Sequence, residues 1–175
     1  TLFPYTTLFR SANLTHASFD ADRTQVIVRA QAAGVRWMIV TGSDAETSQA
    51  ACELCRQYPG TLFATAGVHP HHAKDATDAA WSRLRGLLGC DEVVAVGECG
   101  LDYFRNFSPP AAQRAIFELQ LQLAVDAGKP IFLHQRDAHA DFMAILSQYR
   151  HRLRAAVVHC FTGSETELRD YLALD

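Results

Sequence analysis

The sequence lacks the features that mark several large classes of protein. No apolar run approaches the roughly 18 residues that cross a membrane, which argues against a membrane-spanning protein. No G-x-G-x-x-G fingerprint is present, and its absence argues against a dinucleotide-binding sheet. The 175 residues carry a formal net charge of -3, so no basic excess indicates nucleic acid as a partner. Any phosphate chemistry must therefore depend on a local group of side chains or on a metal.

The cysteines also lack the pattern of a disulfide framework. There are five of them, an odd number without even spacing, so we expect free thiols and a reduced, cytoplasmic compartment. Cys52 and Cys55 form a C-x-x-C, but it lies in a helical stretch with no second ligand pair. We interpret these two as cysteines on a helix face rather than as a redox or zinc site.

What the sequence does contain is a regular alternation of helical patterns and short apolar runs. The runs are nearly continuous, which is typical of parallel strands buried on both faces. Five βα units are clear and a sixth begins near Ala12, whereas a complete barrel needs eight units and about 250 residues. Six units also fit an open doubly wound sheet. The spread of polar residues over several strand ends favours an α/β fold of the TIM-type (β/α)8 barrel, truncated to about six βα units.

Both ends of the sequence indicate a fragment. Residues 1–11 read TLFPYTTLFRS, which looks like the in-frame translation of a common sequencing adapter, and we leave them out of the fold prediction. At the other end the chain stops within an apparent helix, with no stop signal after it. We therefore expect one partial barrel domain over residues 12–175.

Local patterns predict where individual helices begin and which faces they bury. Ser43 and Glu46 fit a capping box that opens the second helix, and Ser164 and Glu167 fit one that opens the last helix.

Two later helices show apolar residues at helical spacing. Ile116, Leu119 and Leu123 are expected to form the buried stripe of the first of these helices. The second stripe consists of Phe142, Ile145, Leu146 and Tyr149.

Metal-type side chains end four of the apolar runs. Glu98, His134 and His159 each follow one run, and His69 and His71 follow a fourth. Because parallel strand ends converge on one face of a barrel, these residues are expected to meet. Carboxylate and neutral imidazole are donors that Zn, Mn or Fe favour and Mg tolerates. Glu98 can bridge metal ions in such a site, or serve as a general base.

Other polar residues are expected near the same strand ends. Arg136 offers a guanidinium fork suited to a phosphate or a carboxylate. His69 and His71 are candidates for binding substrate phosphate or moving a proton. Asp102 is expected to orient Arg105 or a backbone amide.

The types of metal ligand do not decide which reaction the site catalyses. A two-metal site polarises a phosphoryl oxygen and generates a hydroxide nucleophile, but the same apparatus hydrolyses amides and esters. A small amide, ester or phosphoester is therefore an alternative substrate. A third hypothesis is that the isolated fragment is inactive and aggregates, because six strands leave two sheet edges unpaired.

Four strings make the chain resemble a known family. They are GVHPH at 67–71, VGECGLDY at 96–103, HQRD at 134–137 and VHCFTG at 158–163. With these, residues 12–175 resemble the TatD family of metal-dependent deoxyribonucleases, within the amidohydrolase-like barrels. The resemblance implies a (β/α)8 barrel that hydrolyses DNA phosphodiesters, with exonuclease action on single strands or 3′ ends.

The resemblance also implies roles for individual residues. Glu98, His134 and His159 match the family's metal positions, with Mg2+ expected and Mn2+ or Zn2+ as alternatives. Glu98 and His69 are the expected catalytic residues, and His69, His71 and Arg136 the expected substrate-binding ones. The expected partner is DNA, with no membrane and a monomeric state.

Two departures from the family pattern concern the metal ligands. Many members begin with an Asp-x-His-x-His strand, and Asn13 stands at the second of its histidines. The family's later Glu-Thr-Asp strand, whose Asp binds metal, is not in the sequence. The resemblance covers roughly the first two-thirds of the family's length.

Overall fold

The computed structural model describes residues 8–174, with side chains from Ser11 onward. In this part of the chain, six strands alternate with six α-helices. The strands are β1 (Leu8–Ala12), β2 (Val35–Val40), β3 (Leu62–Ala66), β4 (Val93–Asp102), β5 (Ile131–Arg136) and β6 (Ala156–Val158). The helices are α1 (Arg23–Ala32), α2 (Ala45–Gln57), α3 (Asp78–Leu87), α4 (Pro110–Ala127), α5 (His139–Tyr149) and α6 (Glu165–Leu172).

The six strands form one parallel sheet in the order of the sequence. Each strand pairs with the next, from β1 to β6, with no reversal of order. A doubly wound sheet would reverse its order at a switch point, whereas a sequential order is that of a barrel wall. The sheet curls into part of a TIM-type barrel, which confirms the predicted fold class.

The first strand includes residues that were left out of the fold prediction. Leu8–Ala12 pairs with β2 in parallel. Residues 1–7 lie outside the described part of the chain, so the interpretation of residues 1–11 as an adapter translation stays a prediction. Within residues 8–174, no helix is both long and apolar enough to cross a membrane.

The helices cover one face of the sheet. In β2, Met38 and Val40 are buried in the core, while Trp37, directly before Met38, is 38% exposed. Trp37, Ile39, Phe63 and Val94 line an open apolar surface on β2–β4. The prediction of strands buried on both faces is therefore wrong for β2, whereas most residues of β3, β4 and β5 are buried.

The predicted start of α2 is one residue early. Asp44, not Ser43, is the N-cap, and its carboxylate accepts the Thr47 backbone N–H at 2.7 Å. Thr47 completes the capping box in place of Glu46. The equivalent prediction for α6 is confirmed, with Ser164 as the N-cap residue of its capping box.

The buried stripe of α4 differs from the predicted one. Leu119 is 52% exposed, whereas Gln113 and Gln120 are fully buried beside Phe117. The two glutamines can be buried because their side-chain amides hydrogen-bond to backbone groups. A rule that assigns only apolar residues to the core misses this stripe.

Candidate metal centre

The carboxylate of Glu98 is the centre of a group of histidines. Its Oε1 lies 2.6 Å from Nε2 of His159, 3.1 Å from Nδ1 of His134 and 3.5 Å from Nε2 of His69. These side chains are 12–16% exposed, so the group is nearly shielded from water. The structure therefore brings together Glu98 of β4, His134 of β5, His159 after β6 and the histidine loop, the residues that the sequence expected to meet.

Glu98 lies inside a strand rather than at its end. β4 continues to Asp102 because residues 99–102 pair with β5. The preceding Gly97 has φ 133°, and a Cβ there would clash with the carbonyl oxygen of Phe132. Only glycine fits this close approach of the two strands, so Gly97 sets the position of Glu98.

Backbone hydrogen bonds fix the positions of three residues in the group. The Glu98 N–H donates to the Gly42 carbonyl at 2.9 Å, and the His69 N–H donates to the Ser43 carbonyl at 2.8 Å. The His159 N–H donates to the carbonyl of Leu133 on β5 at 3.0 Å. The loop after β2 thus holds both Glu98 and His69.

Asp102 forms a second carboxylate centre beside the first. It is fully buried, and its Oδ2 lies 2.8 Å from Nε2 of His71 and 3.2 Å from Nε2 of His134. Its Oδ1 accepts the Arg105 backbone N–H at 2.8 Å, the contact that the sequence suggested. The His134 ring therefore bridges Glu98 and Asp102.

From the sequence, Asp102 was expected only to orient Arg105 or a backbone amide, although its position on β4 indicates that it lies near Glu98. Residues two and four apart on a strand project to the same face. Asp102 is four residues after Glu98 on β4, so the two carboxylates share a face.

The charged state of the group follows from its contacts. Burial would raise the pKa of Glu98, but contacts with His134, His159 and His69 hold that pKa well below its usual range. The pKa of Asp102 is also lowered, since contacts with Arg105, His71 and His134 outweigh its burial. Burial lowers the pKa of His69 against the pull of Glu98, which favours its neutral ring.

The donor set fits a divalent metal. If the carboxylate of Asp102 accepts Nε2–H of His134, the neutral ring directs its Nδ1 lone pair at Glu98 Oε1, 3.1 Å away. Two lone pairs that face each other require a proton or a metal near them. Nδ1 of His159 is also buried and has no hydrogen-bond partner in the described structure.

The three residues whose ligand atoms lie closest together are not the three predicted metal ligands. Ligand atoms of His69, Glu98 and His134 all lie within 4.8 Å of one another, whereas His159 approaches only the carboxylate. However, Nδ1 of His69 accepts the His71 backbone N–H at 3.2 Å, which places the proton of a neutral His69 ring on Nε2. That arrangement makes His69 a hydrogen-bond donor rather than a metal ligand.

Arg136 and two exposed phenylalanines lie along the same end of the strands. The Arg136 guanidinium lies over the ring of Phe104, 4.4 Å from its centroid. Phe107 contacts the edge of His71, with 4.7 Å between ring centroids. Both phenylalanines are 60% exposed, and no sequence pattern singled them out.

Comparison with known proteins agrees with this geometry. The family model described as TatD related DNase matches residues 11–175. The 3'-5' ssDNA/RNA exonuclease TatD of Cronobacter sakazakii is 51% identical over 161 residues, covering 92% of this chain and 61% of the relative. Its counterpart in Pectobacterium carotovorum is 48% identical, covering 92% of this chain and 62% of the relative. The chain thus spans about three-fifths of the length of these curated relatives.

Solved structures show the same fold. The TatD homologue YJJV from Escherichia coli superposes with a TM-score of 0.86 at 29% identity, covering 95% of this chain and 65% of the other. An uncharacterized amidohydrolase from Saccharomyces cerevisiae gives 0.80 at 26% identity, covering 97% of this chain and 66% of the other. The chain belongs to the TatD related DNase family.

Proposed function

We propose that this protein is a divalent-metal-dependent hydrolase of DNA phosphodiesters that acts as an exonuclease on single strands. The observation that carries the proposal is the His134 ring between the carboxylates of Glu98 and Asp102. Relatives that are about half identical to this chain are named 3'-5' ssDNA/RNA exonucleases, which supports the same reaction class here.

Glu98, His134 and His159 are the residues that would hold the metal. Mg2+ is the ion we propose, with Mn2+ or Zn2+ as alternatives, because the set mixes a hard carboxylate with imidazoles. A divalent metal held there would supply Lewis acidity, which would polarise a phosphoryl oxygen and favour attack by water near neutral pH.

Neighbouring side chains prepare this site. Asp102 orients the His134 ring by holding Nε2, which leaves Nδ1 free towards Glu98. His69 keeps its Nε2 proton directed at the same carboxylate, from which it can hydrogen-bond a phosphate oxygen or move a proton. Glu98 serves as both ligand and catalytic carboxylate, since its contacts with the histidines keep it ionised.

Arg136, Phe104, Phe107 and His71 supply the proposed substrate contacts. Arg136 provides a guanidinium for phosphate, in a protein whose net charge of -3 offers no general attraction for nucleic acid. Exposed aromatic rings stack on unpaired bases, which single strands present and duplexes hide. Phe104 and Phe107 therefore favour a single-stranded substrate over a small amide or ester.

The test uses 5′-labelled single-stranded DNA with purified full-length protein and Mg2+. We expect stepwise shortening from the 3′ end, inhibition by EDTA, and loss of activity in Glu98→Gln, which keeps the size of the side chain. Glu53→Gln, on the outer helix α2, is the control for the substitution itself. Uncut DNA, or turnover of small esters that oligonucleotides do not inhibit, would contradict the proposal. Faster cutting of RNA would correct the substrate class.

We also propose the cytoplasm as the compartment and a monomer as the assembly state. All five cysteines are free thiols, which supports a reducing environment. Light scattering coupled to gel filtration of the full-length protein tests the monomer directly, and a mass of twice that protein would contradict it.

A further inference from the structure

Two cysteines and a glutamate form a second compact group of ligand atoms, away from the histidines. Ligand atoms of Cys52, Cys90 and Glu92 all lie within 4.8 Å of one another, and we refer to these three residues as the thiol cluster. Glu92 directly precedes β4, so roughly 20 Å of strand, at 3.3 Å a residue, separates it from Glu98. The cluster therefore lies at the opposite end of the strands from the candidate metal centre.

One pair of atoms in the cluster is spaced like two ligands of a single tetrahedral ion. Cys52 Sγ lies 3.7 Å from Glu92 Oε2. A sulfur and an oxygen that share a tetrahedral zinc, at bond lengths of 2.3 and 2.1 Å, lie about 3.6 Å apart. Little movement would be needed for these atoms to bind the same ion.

Rigid elements hold the three side chains. Cys52 is fully buried on α2. Cys90 and Glu92 lie in the turn before β4, in which the Cys90 N–H donates to the Leu87 carbonyl at 2.9 Å. The Glu92 carbonyl accepts the Ala64 N–H of β3 at 2.7 Å. A site on such a frame is preorganised.

The charge around the cluster suits a divalent cation. Two thiolates and a carboxylate around an ion of charge +2 leave a net charge of about -1. Arg56 offsets this charge, since its guanidinium lies 3.4 Å from Cys90 Sγ and 3.6 Å from Glu92 Oε2. Its side chain is half exposed and approaches from the solvent side. Donors to ligating sulfurs are typical surroundings of bound metals.

We propose that Cys52, Cys90 and Glu92 bind a Zn2+-like divalent cation, with a fourth position open to water. The C-x-x-C pattern pointed to Cys52 with Cys55, but the turn before β4 supplies the partners that the sequence did not reveal. Binding displaces the thiol protons to solvent, so affinity rises with pH. Burial and the neighbouring Cys90 raise the pKa of Cys52 to about 11, which makes this proton release part of each binding event.

Cobalt(II) distinguishes this site from the histidine centre. Thiolate ligands give Co2+ a near-ultraviolet charge-transfer absorption that carboxylate and imidazole ligands do not give. We expect one equivalent of Co2+ to produce this band in the reduced, purified protein, and Zn2+ to abolish it because zinc binds more tightly. Cys52→Ser and Cys90→Ser should each lose the band.

Cys55→Ser is the matched control, because Cys55 is equally buried one turn along α2. It should keep the band, as should Cys160→Ser near the histidines. No band in the reduced protein, its loss in Cys55→Ser as well, or its loss only in Cys160→Ser would overturn the proposal. If Cys52→Ser does not fold, the partly exposed Glu92→Gln decides: at least tenfold weaker Co2+ binding supports the site, and unchanged binding refutes it.

Discussion

Asp102 determines how the ring of His134 presents itself to Glu98. The carboxylate is fully buried and contacts both His134 and His71, so its charge acts on both rings at once. Removing that charge frees the tautomer of His134, since an amide can either donate or accept. Residues that hold ligands in this way are commonly as important to metal affinity as the ligands.

Asp102→Asn should therefore weaken metal binding. We expect a Kd for Mn2+ that is about 10- to 100-fold higher, measured by isothermal titration calorimetry. Asp141→Asn is the control, because Asp141 is 45% exposed and bonds Tyr103 and Arg114 rather than the histidines. Equal affinities in all three proteins would contradict a role for Asp102.

The thiol of Cys55 makes the free energy of unfolding depend on pH in the alkaline range. Burial raises its pKa from 9.0 to about 12. Because the folded value is the higher one, the unfolded chain loses this proton first as the pH rises. The stabilisation is complete below about pH 9 and is lost towards pH 12, at up to about 1.4 kcal/mol per pH unit.

Denaturant unfolding in EDTA at several pH values between 8 and 11 tests this dependence. In Cys55→Ala, the free energy of unfolding should decrease less with rising pH than in the wild type. Cys160→Ala, at an exposed thiol, should keep the wild-type slope. A slope that Cys55→Ala does not change would show that another group titrates.

At the scale of elements, α4 holds the histidine loop through one side chain. Gln120 accepts the Val68 N–H at 2.7 Å and donates to the Val68 carbonyl at 2.9 Å, directly before His69. Both residues are buried, so no water can replace these hydrogen bonds without a rearrangement.

Gln120→Leu should lower the free energy of unfolding by about 2 to 5 kcal/mol, because two buried backbone groups lose their partners. Chemical denaturation measures this change. Gln122→Leu, on the exposed face of α4, is the matched control and should stay within about 0.5 kcal/mol of the wild type. A similar small effect for both variants would contradict the anchoring role.

Element type was predictable from the sequence, but element ends and some faces were not. The apolar runs predicted strands β2–β6, and the stripe of Phe142, Ile145 and Leu146 is buried as expected. The prediction of the buried stripe of α4 was wrong because Gln113 and Gln120 are buried there. Both glutamines are held by hydrogen bonds to residues outside the helix. The length of β4 depends on pairing with β5, which periodicity does not contain.

At the scale of the whole molecule, the described sheet has β1 and β6 at its edges. Trp37, Ile39 and Phe63 also leave an apolar surface open on the face without helices. Exposed edges and apolar surface promote association between chains. We therefore predict that a polypeptide limited to these 175 residues aggregates, as gel filtration would show. A soluble monomer with cooperative unfolding would contradict this prediction.

The sequence predicted which residues form the candidate site only as far as it predicted the arrangement of the strands. Glu98, His134 and His159 could be grouped because parallel strands place their ends together. Neither the bridging position of His134 nor the rings of Phe104 and Phe107 followed from spacing, since both depend on side-chain directions after the strands curl. The thiol cluster was missed because its members come from a helix and a turn 38 residues apart.

The central claim is that Glu98, His134 and His159 hold a divalent metal. Anomalous diffraction from crystals of the protein soaked in Mn2+ tests it most directly, since the signal locates the ion without reference to activity. We expect a peak within bonding distance of the Glu98 carboxylate and of His134 or His159, and we expect Glu98→Gln to abolish it. A map of Mn2+-saturated crystals with no peak between these residues would contradict it.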